Sequence, residues 1–161
     1  KQITRYAGLP KEYVGEIQLG QTTPSYDLET EPDKTFPFRH ITEQQLKESL
    51  EKFTGKQLQI PPIYSAKNIN GKRAYRYARE CKNVEMRAAE IEIMSIELLK
   101  FHLPFVQVRI VCSAGTYIRA LARDLGEVLN SGATLINLRR TAVGDFKIND
   151  ALSIDKFEEI A

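Results

Sequence analysis

The sequence predicts an α+β fold, a mixed and mainly antiparallel sheet with flanking helices. Two stretches carry that reading. Apolar residues alternate over 90 to 101 and again over 104 to 112, joined at His102-Leu103-Pro104, which is the pattern of a β-hairpin. The alternation then stops at Ser113-Ala114-Gly115 and a 3.6 period replaces it, with Ile118, Leu121, Ala122, Leu125, Val128 and Leu129 on one face. A strand turns into a helix there, with Thr116 expected as its N-cap and Asn130 with Gly132 as its stop.

The remaining elements follow in order. Tyr13 to Leu19 reads as a strand, and a second strand is expected to end at Tyr26-Asp27. Pro32, Pro37 and the lack of periodicity mark Thr30 to Arg39 as loop, and Thr42 should cap a helix running to Phe53 with Ile41, Leu46 and Leu50 as its apolar stripe. Gln59 to Ala66 is apolar but broken by Pro61-Pro62, so an extended connection is expected. Asn70-Gly71 signals a tight turn that would project Lys67, Lys72 and Arg73 from a hairpin, and residues 74 to 80 have helical character. Thr134 to Leu138 reads as a strand, followed by Arg139-Arg140, a turn over Val143-Gly144-Asp145-Phe146, and a terminal helix from Asp155 to Ala161.

Length and composition bound the function classes. At 161 residues the chain holds one domain whose core buries about 70% of the surface exposed on unfolding. No apolar run approaches the roughly 20 residues of a membrane span, and the first residues show no signal peptide. Cys81 and Cys112 lack the spacing of a metal site or a disulfide framework, so no metal is expected and the cytoplasm is the expected compartment. Cys112, at the end of an apolar strand, should be a small buried hydrophobe, and His40 a loop residue at the surface.

The net charge of +2 hides a segregation. Residues 27 to 51 hold seven acids against three bases, whereas residues 67 to 87 hold seven bases against two acids. The basic residues Lys67, Lys72, Arg73, Arg76 and Arg79 are interleaved or flanked by Tyr64, Tyr75 and Tyr77. Basic side chains grip phosphates and aromatic rings stack on splayed bases, so this segment is the candidate RNA footprint. A different feature singles out Arg119. Its helical neighbours at three and four residues are Gly115, Thr116, Ala122 and Arg123, so any carboxylate partner must come from elsewhere.

The string Cys112-Ser113-Ala114-Gly115-Thr116-Tyr117-Ile118-Arg119, continuing through Leu121 to Asp124-Leu125-Gly126, resembles a signature of the tRNA pseudouridine synthase B family. Two further blocks agree in order and spacing. They are Lys11-Glu12-Tyr13 leading to Leu19-Gly20-Gln21-Thr22-Thr23, and Gln59-Ile60-Pro61-Pro62-Ile63-Tyr64-Ser65-Ala66-Lys67 with Gly71, Arg73-Ala74-Tyr75 and Ala78-Arg79. The resemblance implies a pseudouridine synthase-like catalytic domain that isomerises a uridine in the tRNA T-loop without cofactor or metal. It puts base stacking and general-base chemistry on Tyr13, the second ring of the base sandwich on Tyr117, the salt bridge to the nucleophile on Arg119, and the apolar wall on Leu138, within Leu138-Arg139-Arg140.

The family's nucleophilic aspartate lies in a Gly-His-x-Gly-x-Leu-Asp-Pro motif, and no such motif occurs in this sequence. Lys1-Gln2-Ile3-Thr4-Arg5 resembles the segment that follows it, so the chain is expected to be a partial catalytic domain over 1–161, starting downstream of the nucleophile and inactive alone. No C-terminal RNA-binding domain is expected. Asp27, Asp33, Asp124, Asp145, Asp150 and Asp155 lack the motif's context and are not expected to replace it. The expected partner is tRNA, through T-loop and stem, with the protein a monomer and no membrane involved. The competing reading is a noncatalytic tRNA-binding or tRNA-folding module on the same scaffold.

Overall fold

The computed structural model describes residues 3–65, 68–69, 72–74 and 86–160. Its strands are β1 (Lys11–Leu19), β2 (Gln21–Thr22), β3 (Lys34–Thr35), β4 (Gly55–Gln59), β5 (Asn68–Ile69), β6 (Lys72–Arg73), β7 (Ala89–His102), β8 (Phe105–Cys112), β9 (Ala133–Val143) and β10 (Phe146–Lys147). Its helices are α1 (Ile3–Ala7), α2 (Glu43–Glu51), α3 (Ile118–Val128) and α4 (Ile154–Ile160), with a 3-10 turn over Ile148–Asp150. One antiparallel sheet in the order β10-β9-β1-β8-β7-β4 carries the fold.

Period-two burial decides which face of that sheet is covered. β1 buries Gly15, Ile17 and Leu19, and β8 buries Val106, Val108, Ile110 and Cys112 on the same side. Leu46 and Leu50 of α2, with Ile118, Leu121 and Leu125 of α3, close over them in one core. Each such aliphatic side chain contributes roughly 1.5–3 kcal/mol by leaving water. Cys112 lies at the end of this layer as a free, buried cysteine. Burial pushes its thiol pKa up, and a hydrogen bond with Thr116 and the charge of Lys11 offset this only in part.

The hairpin of β7 and β8, the strand Lys11–Leu19 and the helix after Thr42 form as the sequence indicates. Thr42 makes a capping box, its hydroxyl accepting from the Gln45 amide while its own amide donates to Gln45 Oε1. Asn130 (φ 52°) and Gly132 (φ 58°) end α3 in left-handed backbone, and Gly144 (φ 53°) turns β9 into β10. Asn68 opposite Arg73 and Ile69 opposite Lys72 make the hairpin expected around Asn70-Gly71.

Four expectations are corrected. Thr116 does not cap α3: its hydroxyl lies 3.3 Å from that of Ser113, and the N-cap is Tyr117, which makes no side-chain cap. No strand ends at Tyr26-Asp27, because the backbone turns left-handed at Tyr26 (φ 65°) and Asp27 reaches Leu135 by an isolated parallel bridge. The stretch expected as loop contributes β3, which pairs with β2. β9 continues through Arg139 and Arg140 to Val143 because β1 supplies a partner along that whole length.

The approach of α3 to β9 depends on Gly126. A Cβ added there would lie 2.4 Å from the Ala133 amide nitrogen and 2.5 Å from the Gly132 carbonyl carbon, and neither backbone atom can rotate away. Gly126→Ala is expected to lower unfolding free energy by about 1–3 kcal/mol. Urea denaturation followed by circular dichroism measures the shift.

Candidate functional site

Arg119 lies in the first turn of α3, its side chain 21 % exposed. The carboxylate it requires is supplied by the turn after β2. Arg119 Nη1 donates to Asp27 Oδ2 at 2.8 Å, and Nη2 donates to the Tyr64 carbonyl at 2.7 Å. The Ser25 carbonyl stands 3.5 Å from Nη1, and Glu29 Oε2 lies 3.9 Å away. The guanidinium is therefore fixed from two sides, by an anion and by a backbone oxygen.

Asp27 is itself held. Its Oδ1 accepts from Ser25 Oγ at 2.7 Å and from the Glu29 amide at 2.9 Å, the geometry of an Asx turn. Thr23 Oγ1 donates to the Asp27 carbonyl at 2.7 Å, and the buried Ser25 hydroxyl also meets Thr30 Oγ1 at 2.8 Å. Sequence reading set Asp27 aside as a candidate nucleophile and did not identify it as the partner of Arg119. The one available signal was its place just downstream of Gly20-Gln21-Thr22-Thr23.

A pocket of about 370 Å³ opens beside this pair, lined by Asp27, Leu28, Glu29, Arg119, Leu135, Ile136, Asn137 and Leu138. Leu138 is 41 % exposed and faces Gly15 across the β1–β9 ladder. Tyr13 is half-buried on the same strand face as Gly15, packed against the core, with Arg140 as its β9 partner. Register thus sets Tyr13 diagonal to Leu138. Tyr64 enters the site through its carbonyl. Lys67, Arg76 and Arg79 lie outside the described residues, and Lys72 and Arg73 appear as the paired strand β6.

Tyr117 is anchored by Gln59, a residue no sequence feature marked for this role. The Tyr117 amide donates to Gln59 Oε1 at 2.9 Å, and Gln59 Nε2 donates to the Tyr117 carbonyl at 3.1 Å. Gln59 is 3 % exposed and ends β4, so its amide pairs the main chain of the residue that opens α3 and ties that helix to the sheet edge. Gln59→Leu keeps the volume but leaves the Tyr117 amide unpaired, while the Tyr117 carbonyl still accepts from the Leu121 amide. A loss of about 2–3 kcal/mol in urea unfolding is expected.

Among the described residues no group of three or more His, Cys, Asp or Glu side chains is arranged to hold a metal ion, and no helix is long and apolar enough to cross a membrane. The chemistry available is that of an ordered Arg–Asp pair facing a half-open pocket with an apolar wall.

Comparison with known proteins places the chain in a family. The TruB family pseudouridylate synthase N-terminal domain matches residues 1–118, and the tRNA pseudouridylate synthase B C-terminal domain matches residues 119–161. Proteins named tRNA pseudouridine synthase B from Phocaeicola vulgatus and Flavobacterium johnsoniae are 52% and 45% identical over 159 residues. Each alignment covers 99% of this chain, and 68% and 69% of those relatives. In a crystal structure of a Cbf5-Nop10-Gar1 complex, one chain superposes with a TM-score of 0.62 at 27% identity, over 92% of this chain and 36% of that one. A structure of an H/ACA RNP bound to a substrate RNA containing 2'-deoxyuridine, at 22% identity and the same TM-score, shares the fold. The chain belongs to the TruB family of pseudouridine synthases.

Proposed function

We propose that this chain forms the substrate-side wall of a tRNA pseudouridine synthase acting on a T-loop uridine. The observation that carries the reading is the doubly held Arg119 guanidinium beside the half-open pocket that Leu138 lines. Forming pseudouridine breaks the bond from ribose to the base nitrogen, turns the uracil and rejoins it through carbon. An attacking carboxylate must stay ionised in a drying pocket, where burial raises carboxyl pKa values, and a nearby guanidinium opposes that rise. Asp27 and Tyr64 accept from the two terminal nitrogens of Arg119, with the Ser25 carbonyl also against Nη1, and among the described residues Nε makes no hydrogen bond, so that edge is the one to meet a second carboxylate.

Asp27 in this scheme aims Arg119, and the attacking group comes from the aspartate motif that this sequence does not contain. The chain by itself is then inactive. A uridine inside a folded loop must be flipped out, and Tyr13 with Tyr117 would sandwich it while Leu138 excludes water on the apolar side. Lys67, Lys72, Arg73, Arg76 and Arg79, with Tyr64, would carry the tRNA backbone as one monomer, in the cytoplasm where tRNA is processed.

Two measurements test this reading. In the protein as its gene encodes it, Arg119→Met keeps the apolar stem and removes the charge. Single-turnover pseudouridine formation at saturating enzyme is expected to fall at least about a hundredfold while tRNA affinity stays near the parent value, with this chain alone setting the zero of the assay. A loss confined to affinity makes Arg119 a phosphate contact instead.

The second measurement is the salt dependence of tRNA binding by filter retention. Affinity is expected to fall steeply as salt rises, because phosphate contacts release counterions, and to fall further in the double variant Lys67→Glu with Arg73→Glu. An affinity indifferent to salt or to the double variant removes the basic segment from the interface.

A further inference from the structure

Asp27 depends on the residue before it, and that residue is held in a conformation it would not choose. Tyr26 lies at φ 65°, where a side chain with a Cβ is strained and glycine or asparagine is the usual occupant. Its amide donates to the Thr23 carbonyl at 3.1 Å and its carbonyl accepts from the Leu135 amide at 3.0 Å. The ring lies against the guanidinium of Arg123, Cζ to centroid 5.1 Å, within the range of a cation–π contact.

Arg123 is fixed in turn. Nε and Nη2 both reach Asp124 Oδ1, at 2.7 and 2.6 Å, and the arginine side chain is 16 % exposed. Burial disfavours the charge on Arg123, but the hydrogen bond and charge of Asp124, with Tyr26 beside them, outweigh it and hold the guanidinium pKa above its ordinary value. At Asp124 burial wins and the carboxyl pKa rises, Glu127 adding to it and Arg123 opposing it. Arg123 stands four residues after Arg119, so α3 directs two arginines, one turn apart, at two consecutive residues of the turn. One binds the carboxylate of Asp27 and the other the ring of Tyr26.

We propose that the Arg123–Tyr26 stack is a positioning device: it holds the strained turn so that Asp27 presents its carboxylate to Arg119, and it thereby sets the aim of the Arg119 guanidinium. Tyr26 and Arg123 are positioning residues for the reaction and touch neither the base nor the attacking group. The inference rests on the reading of Arg119 given above.

The test compares four variants of the protein as its gene encodes it, in single-turnover rate at saturating enzyme, tRNA affinity and thermal midpoint. Arg123→Met removes the cation, Tyr26→Leu removes the ring but keeps a Cβ at the strained φ, Tyr26→Phe keeps the ring, and Asp27→Asn is the reference. Arg123→Met and Tyr26→Leu are each expected to slow the single-turnover step about ten- to a hundredfold with tRNA affinity within about twofold of the parent. Tyr26→Phe is expected to retain the parent rate.

Full rate in both stack variants while Asp27→Asn is slow overturns the inference alone. Full rate in Asp27→Asn overturns the reading beneath it and the inference with it. A lowered thermal midpoint with the parent rate in the folded enzyme makes the stack structural only, and also overturns the proposal. Should Arg123→Met fail to fold, Tyr26→Leu, which leaves Arg123 and its pair with Asp124 in place, decides between the same outcomes.

Discussion

The ion pair between Arg119 and Asp27 is the contact on which the organisation of the site depends. It joins a helix and a turn far apart in sequence, and each partner is oriented by further groups before they meet. Ser25 and the Glu29 amide fix the carboxylate, while the Tyr64 carbonyl and the first turn of the helix fix the guanidinium. Both side chains remain about one-fifth to one-quarter exposed. A pair so placed adds little to stability, because water still competes for it. Its consequence is geometric: three segments meet at one planar cation.

The support around this pair is polar and backbone-directed. Gln59 pairs with both main-chain groups of Tyr117, as a neighbouring strand would, and so extends the logic of the sheet edge to a helix start. Thr23 and Ser25 are buried hydroxyls satisfied within the turn. Such groups are costly to bury unless each finds its partner, and in return they permit one arrangement where an apolar contact would permit several.

What was legible in the sequence was local. Strand alternation in β1, β7 and β8, the Thr42–Gln45 capping box and the Asn130 stop depend on neighbours within a few residues, and the chain itself displays them. The end of α3 was readable and its start was not, because the main chain of Tyr117 is held there by Gln59 from another strand. β4 escaped notice for a similar reason: as an edge strand with Leu58 72 % exposed it shows little hydrophobic alternation. The site divided the same way. Arg119 stood out because its helical neighbours at three and four residues offer no carboxylate, whereas Asp27 as its partner and the left-handed Tyr26 required the fold. The basic residues Lys67, Arg76 and Arg79 lie outside the described residues.

The strand order has a bearing on how the chain reaches this state during synthesis. β1 lies inside the sheet, yet its two neighbours are β8 and β9, so Lys11 waits for Cys112 on one side and Val143 on the other. A growing chain presents Ile17 and Leu19 before β8 and β9, the strands that flank β1, have been made. The hairpin of β7 and β8 can close as soon as it emerges, because its partners are adjacent, whereas the pairing of β1 bears the entropy of a long loop. Nascent chains stalled before β8 would therefore expose an apolar strand for chaperones to cover, and the site, which needs the Asp27 turn, Arg119 of α3 and Leu138 of β9 together, is complete only after β9 has been made.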